Sequence, residues 1–217
     1  MSVRSALRAA AGDTYRFSWR LLVLNTAVTG VASAVVLVVS AFPLVLLLAP
    51  LLAGPVVAAL VHCTVIVVRE DEFELADAVT GLRLHWRRGF ALGGLFGAGL
   101  LLGALAVSFY TGEEHRALPL AALAVYVVAI YCSMVLVAWP LAIAEPQVSF
   151  ADALRDAWLL VLRSPLRFLT LGAALVLVNA LGAVTILPLL TMTIAYSFLV
   201  AGHLVLPRST IQEEVTT

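Results

Sequence analysis

The sequence predicts an all-α, polytopic membrane protein, and its composition and charge distribution are the observations behind that fold class. Of 217 residues, 63% are hydrophobic and only 12% are charged, whereas soluble domains average about 25% charged residues. Residues 21–68 contain no Asp, Glu or Arg, and residues 165–207 contain one charged side chain, Arg167. A membrane-spanning helix needs about 20 apolar residues. Each of these runs is therefore long enough for two spans.

Chain breakers and charged stretches divide the apolar residues into six predicted transmembrane helices. Proline and glycine mark the tight turns, and the charged stretches separate the other segments. The predicted spans cover residues 21–41, 44–68, 90–110, 118–143, 166–184 and 187–206.

Arginine determines the predicted orientation of these spans. The chain contains no lysine, and twelve of its thirteen arginines fall on one side of the six-span arrangement, with only Arg116 on the other. Short cytoplasmic loops of membrane proteins carry this positive excess. We therefore predict that both termini are cytoplasmic.

Two charged, half-apolar segments lie on the predicted cytoplasmic side, at about residues 72–87 and 149–163. Both contain Ala-Asp-Ala, at residues 76–78 and 151–153, and the same shift aligns Arg88 with Arg163. This pattern suggests a tandem internal repeat. In the second segment, seven apolar residues recur with helical spacing: Phe150, Ala153, Leu154, Ala157, Trp158, Val161 and Leu162.

Such spacing predicts two amphipathic helices. Ser149 is the expected N-cap of the second helix, and Asp71 with Glu74 could cap the first. Helices of this type lie flat at the membrane surface or pack across the ends of spans. They serve as anchors or as docking elements for a partner. The residues predicted to form such an interface are Trp86, Arg87, Arg88, Arg155, Trp158 and Arg163.

Four polar side chains within the predicted spans are candidates for intramembrane contacts: Asn25, His62, Asn179 and His203. Asparagine in a span typically hydrogen-bonds a neighbouring helix, although lining a substrate pocket is the alternative. The histidines are expected at the cytoplasmic interface, and a metal pair of His62 with His203 is a second interpretation. Gly93-x-x-x-Gly97 predicts close helix packing.

No Asp or Glu lies inside a predicted span, whereas membrane enzymes and proton-coupled carriers usually place ionisable groups there. We therefore predict that the protein is not an enzyme and has no catalytic residue, cofactor or metal. The enzyme alternative would require Glu145, His62 and His203 to converge with arginines at the cytoplasmic face.

Four short motifs are spread over most of the chain. They are the aromatic and basic residues 15–20 followed by Leu-x-x-Leu-Asn at 21–25, Gly-Pro-x-x-Ala-Ala-Leu at 54–60, His-Trp-Arg-Arg-Gly-Phe at 85–90, and Leu-Arg-Ser-Pro at 162–165. Together they resemble the pattern of the YesL-like family of bacterial membrane proteins, whose function is unknown. Ser164 stands where the family pattern has Asn. The resemblance implies a bacterial inner-membrane protein and an accessory role near carbohydrate uptake systems.

We therefore expect a non-enzymatic accessory or regulatory protein of a transport system, with a carbohydrate ABC importer as the expected context. The alternative is a transporter or permease subunit itself. Permease coupling loops read roughly Glu-Ala-Ala-x-x-x-Gly, whereas here Gly81 follows Glu74 at a different spacing. The expected partners are the lipid bilayer and an ABC transporter or another membrane protein, and not a nucleic acid.

Overall fold

The computed structural model describes residues 2–41, 48–112, 117–184 and 187–206, and these residues form helices without a β-strand. The all-α prediction is thereby confirmed. The helices are α1 (Val3–Arg16), α2 (Ser18–Ala41), α3 (Ala49–Glu70), α4 (Leu75–Thr111), α5 (Leu118–Ala144), α6 (Phe150–Arg163), α7 (Pro165–Val184) and α8 (Leu187–Val205).

Each of the six predicted spans overlaps one long helix. By length and composition, α3, α4 and α5 can cross a membrane, and α6 with residues 165–179 adds a fourth if that bent pair is one span. Residues 193–205 of α8 form a shorter apolar helix. Residues 44–47 of the second predicted span, and residues 113–116, which include Arg116, lie outside the described residues.

Helix α3 forms the centre of the bundle. It is apolar on all sides, and Ala58, Leu60, Val61 and Cys63 have no exposed surface, as expected for a helix surrounded by others. By contrast, the second half of α4 and the first half of α5 present large apolar side chains outward. The most exposed of these are Leu102, Leu105, Phe109, Leu118, Leu123, Val125 and Val127.

Helices α3 and α4 pack backbone to backbone through glycine. A Cβ atom on Gly89 would lie 2.8 Å from the carbonyl oxygen of Gly54 and from the Cα of Pro55. Small residues allow this approach, and it brings the two helices into close van der Waals contact. The α3–α4 pair is therefore a tightly fitted hairpin.

The structure corrects the prediction of a separate amphipathic helix at residues 72–87. That segment and the predicted span at 90–110 belong to one continuous helix, α4, of 37 residues. Gly89 does not interrupt α4, because the α3 backbone packs against it. Glu74 is the N-cap of α4 and forms a capping box with Asp77, whereas Asp71 ends α3 in the left-handed conformation with φ 56°.

The second charged segment is a separate helix, α6. Ser149 caps it as predicted, since its Oγ accepts a hydrogen bond from the backbone N–H of Asp152 at 3.1 Å. Helix α7 begins at Pro165, and its first fifteen residues run at 99° to α6. Proline suits the first helical turn because its missing N–H has no intrahelical acceptor there. The two charged segments therefore differ, and the structure does not confirm a tandem repeat.

Helix α1 was not among the predicted elements. Ser2 caps it through the backbone N–H of Ser5, and Ala6 and Ala10 have no exposed surface. Its buried face consists largely of alanine, so the sequence shows no stripe of large apolar residues. Helix α1 packs mainly against α8.

Candidate functional site

Charged side chains join the helix ends at one end of the bundle, where α2 begins and α3, α5 and α8 end. We call this set of residues the polar collar: Asp13, Arg16, Arg20, Arg69, Asp71, Arg88, Glu145 and His203. These residues belong to the side of the chain that the arginine distribution predicts to be cytoplasmic.

Arg88 binds the junction between α5 and α6. Its guanidinium donates to four carbonyl oxygens, those of Ala142 (2.5 Å), Glu145 (3.2 Å), Pro146 (2.8 Å) and Val148 (2.7 Å). The last carbonyls of a helix lack intrahelical partners, and a cation is favourable at that negative end. Arg88, predicted as an interface residue, is therefore engaged within the fold.

Arg69 reaches the same junction from α3. It donates to the carbonyl of Ala144 at 3.0 Å and lies 3.6 Å from the carboxylate of Glu145. Arginines from two neighbouring helices therefore hold the end of α5 and the start of the loop that leads to α6.

The α3–α4 turn is attached to the N-terminal helices by two further arginines. Arg16, at the end of α1, pairs with Asp71, and Arg20, at the start of α2, donates to the carbonyl of Phe73. The rings of Phe17 and Phe73 meet edge to face beside these contacts, with their centroids 6.5 Å apart.

His203 attaches α8 to α1. Its Nε2 lies 2.5 Å from Oδ2 of Asp13, and the side chain of His203 is only 3% exposed. A carboxylate is an acceptor, so Nε2 carries the proton and donates. Nδ1 of His203 has no hydrogen-bond partner among the described residues. The Tyr196 hydroxyl donates to the carbonyl of Leu7 at 3.2 Å and completes this attachment.

His62 has a different partner from His203. Its ring lies against that of His85 on α4, with centroids 5.1 Å apart, and its side chain packs over Gly81. The alternative of a His62–His203 metal pair therefore finds no support in these contacts. In the described part of the chain, no group of three or more His, Cys, Asp or Glu residues could hold a metal ion.

The two asparagines connect helices to α8. Asn25 Oδ1 accepts from the backbone N–H of Ala195 at 3.2 Å, and its amide donates to the carbonyl of Leu21 at 2.8 Å. Asn179 donates to Ser197 Oγ at 3.1 Å. Both side chains thus contribute contacts between neighbouring helices.

Helix α4 presents an exposed apolar and basic stripe on the side opposite α3. We call it the α4 patch: Val79, Leu82, Arg83, Trp86 and Arg87. The guanidinium of Arg87 lies 5.1 Å from the ring centroid of Trp86, which is 45% exposed. The ring of Trp86 meets that of Phe90 edge to face at 6.0 Å. Gly81, His85 and Gly89 occupy the buried side of the same helix.

Helix α6 has a buried face and an apolar flank. Ala153, Ala157 and Val161 pack into the core. Beside them lie Leu154, which is partly buried, Trp158, which is 43% exposed, and Leu162, which is 48% exposed. We call these three the α6 flank. Arg155 and Arg163, predicted as interface residues, are exposed.

Each of these contacts attaches one helix to another. Glu145 contacts Arg69, His203 contacts Asp13 and His62 contacts His85, so the three residues of the enzyme alternative have three different partners. A shallow depression of about 300 Å³ lies elsewhere, on the surface of α1, where Ser2, Arg4, Ser5 and Arg8 line it.

Sequence reasoning missed Asp13 and His85. Asp13 lies 190 residues from its partner His203, and no local pattern connects positions so far apart. The available signal for His85 is its spacing, because it falls four residues from both Gly81 and Gly89 on the small-residue side of a helix. Comparison with protein-family models, with curated proteins and with solved structures gives no significant match.

Proposed function

We propose that this chain is a non-enzymatic, six-span protein of the bacterial inner membrane that assists or regulates a transport system. Both termini lie in the cytoplasm, and a carbohydrate ABC importer is the first candidate partner. The sugar-import context and the kinship with YesL-like proteins rest on the sequence motifs around residues 15–25, 54–60, 85–90 and 162–165.

The membrane placement is supported by the distribution of polar and apolar surface. The described ion pairs lie in the polar collar, at one end of the bundle. The outward surface of α4 and α5 is apolar, with Leu102 and Leu118 among its most exposed side chains. Extended exposed apolar surfaces are rare on soluble monomers, and lipid is their natural environment.

The α4 patch is the observation that carries the proposed partner contact. Tryptophan and arginine are the residues most enriched at binding hot spots, and here they stack on each other at the surface. The helix that carries the patch is also held in place, because α4 is capped at Glu74 and packs by backbone contact on α3. A preorganised surface loses less conformational entropy on binding.

Site-specific photo-crosslinking in cells tests this contact. A photoreactive amino acid at Trp86 should crosslink a transport protein, and Arg87→Glu should abolish that product. Trp19 supplies a matched control, because it is also exposed and has an arginine, Arg20, 5.4 Å from its ring centroid. The same residue placed at Trp19 should not yield the product.

Equal crosslinking at both positions, together with normal sugar uptake in a deletion strain, would contradict the proposal. Substrate-dependent transport by the purified protein in liposomes would contradict it too, and would establish the permease alternative instead.

A further inference from the structure

The surface of helix α6 has three parts: a buried face, an apolar flank and an exposed charged face. Ala153, Ala157 and Val161 face the core, and the α6 flank lies beside them. The four charged residues of the helix are all exposed: Asp152, Arg155, Asp156 and Arg163. An in-plane membrane helix needs this division, with one face for the protein, one for lipid and one for water.

The direction of α6 fits the same environment. Its axis is bent by 99° from that of the first part of α7. When α7 enters the bilayer along its normal, α6 runs nearly parallel to the membrane surface. Its attachment to the end of α5, through the Arg88 contacts at the junction, places it at the level of the polar collar.

The residues of α6 favour contact with lipid over contact with a charged macromolecule. Two aspartates and two arginines balance each other, so the helix offers no net charge to an acidic or basic partner. Trp158 and Leu162 offer apolar area, and Arg155 lies one helical turn from Trp158 and two turns from Leu162. Tryptophan favours the boundary between headgroups and hydrocarbon, and an arginine beside it can extend its charged end to the phosphates.

We propose that α6 lies in the cytoplasmic leaflet, with the α6 flank inserted among the upper acyl chains and Arg155 directed to the headgroup phosphates. This inference rests on the membrane placement under the proposed function, but not on the proposed partner. Together with the proposed function, it gives the two charged segments different neighbours, a protein for the α4 patch and lipid for the α6 flank.

Depth-dependent fluorescence quenching tests the inference on the full chain. In a background with Cys63→Ala and Cys132→Ala, a polarity-sensitive dye is attached at Leu162→Cys, Asp156→Cys or Leu102→Cys. Each labelled protein is reconstituted in vesicles of phosphatidylethanolamine and phosphatidylglycerol. Shallow and deep nitroxide lipids and aqueous iodide serve as quenchers.

Shallow nitroxide lipid should quench the dye at position 162 about threefold more than the dye at 156, and iodide should show the reverse order. Deep nitroxide lipid should quench position 102, on the apolar outer surface of α4. If 162 and 156 are equally accessible to iodide while 102 is quenched by deep lipid, the inference is wrong and the membrane placement stands. If iodide also reaches 102, both fail.

Discussion

The first part of α4 and the whole of α6 have similar sequences but differ in how they continue and pack. Both contain Ala-Asp-Ala, an amphipathic pattern, a tryptophan and closing arginines. The first continues without a break into a long apolar helix and packs its glycines on α3. The second ends at Arg163, and the axis of the following helix, α7, is bent by 99° from that of α6. The aligned arginines differ as well, since Arg88 is bound to four carbonyls and Arg163 is exposed.

This difference shows that tertiary neighbours and the residues at the end of the segment together determine what an amphipathic segment becomes. The first segment has glycine where α3 passes, and close contact keeps it aligned with the following helix. The second has Ser164 and Pro165 at the corresponding end, and proline cannot continue a preceding helix without losing a hydrogen bond. Similar local patterns therefore give one extended helix and one separate helix that meets α7 at 99°.

The largest effect should come from Gly89→Ala. The added methyl group would meet the backbone of Gly54 and Pro55, and backbone cannot move aside as a flexible side chain can. We expect the free energy of unfolding to fall by about 3 kcal/mol or more, which would be measured as a lower Tm in detergent. Gly172→Ala is the control in α7, where the nearest atom to the new Cβ is Ser133 Oγ at 3.4 Å. Equal Tm values for the two variants would contradict the close α3–α4 contact.

A smaller effect is expected from Arg88→Met. Removing the guanidinium leaves carbonyls at the α5–α6 junction without their donor, at a cost of about 2 kcal/mol. Arg163→Met, at the aligned position, should change stability by less than about 0.5 kcal/mol because its side chain is exposed. Thermal unfolding in detergent measures both. Similar losses for the two arginines would mean that the segments are equivalent after all.

Asp13→Ala should have the smallest effect of the three, about 1–2 kcal/mol, and should act on α1 rather than on either charged segment. The change leaves His203 buried without its acceptor, so α1 should separate from α8. Limited trypsin digestion should then cleave after Arg8 and Arg16 sooner than in the parent protein. Asp156→Ala, which removes an exposed carboxylate from α6, is the control, and faster cleavage in that variant alone would exclude this role for Asp13.

Much of the helical organisation could be predicted from local signals. Runs without charge predicted the long helices, and Ser149 with Asp152 predicted the start of α6. The continuity of α4 could not be predicted, because Gly89 is a helix breaker locally and only the neighbouring α3 backbone explains its tolerance. Helix α1 was not predicted because its buried residues, Ala6 and Ala10, are alanines and form no stripe of large apolar side chains.

The contacts of the candidate site were less predictable than the helices. His62 and His203 were identified as polar residues in apolar surroundings, but their partners His85 and Asp13 depend on how distant segments pack. Trp86 and Trp158 were predicted as interface residues, and both are exposed in the structure. The contacts of Arg88 within the fold could not be predicted, since its four acceptors lie at the α5–α6 junction, which is distant in sequence.

Spin-label distance measurements test most directly whether the two charged segments differ in shape. In the cysteine-free background, nitroxide pairs at Leu82 with Leu102 and at Asp156 with Val176 have equal separations in sequence. A continuous α4 predicts about 30 Å for the first pair, and the 99° bend predicts about 20 Å for the second. Equal distances for the two pairs would contradict the account.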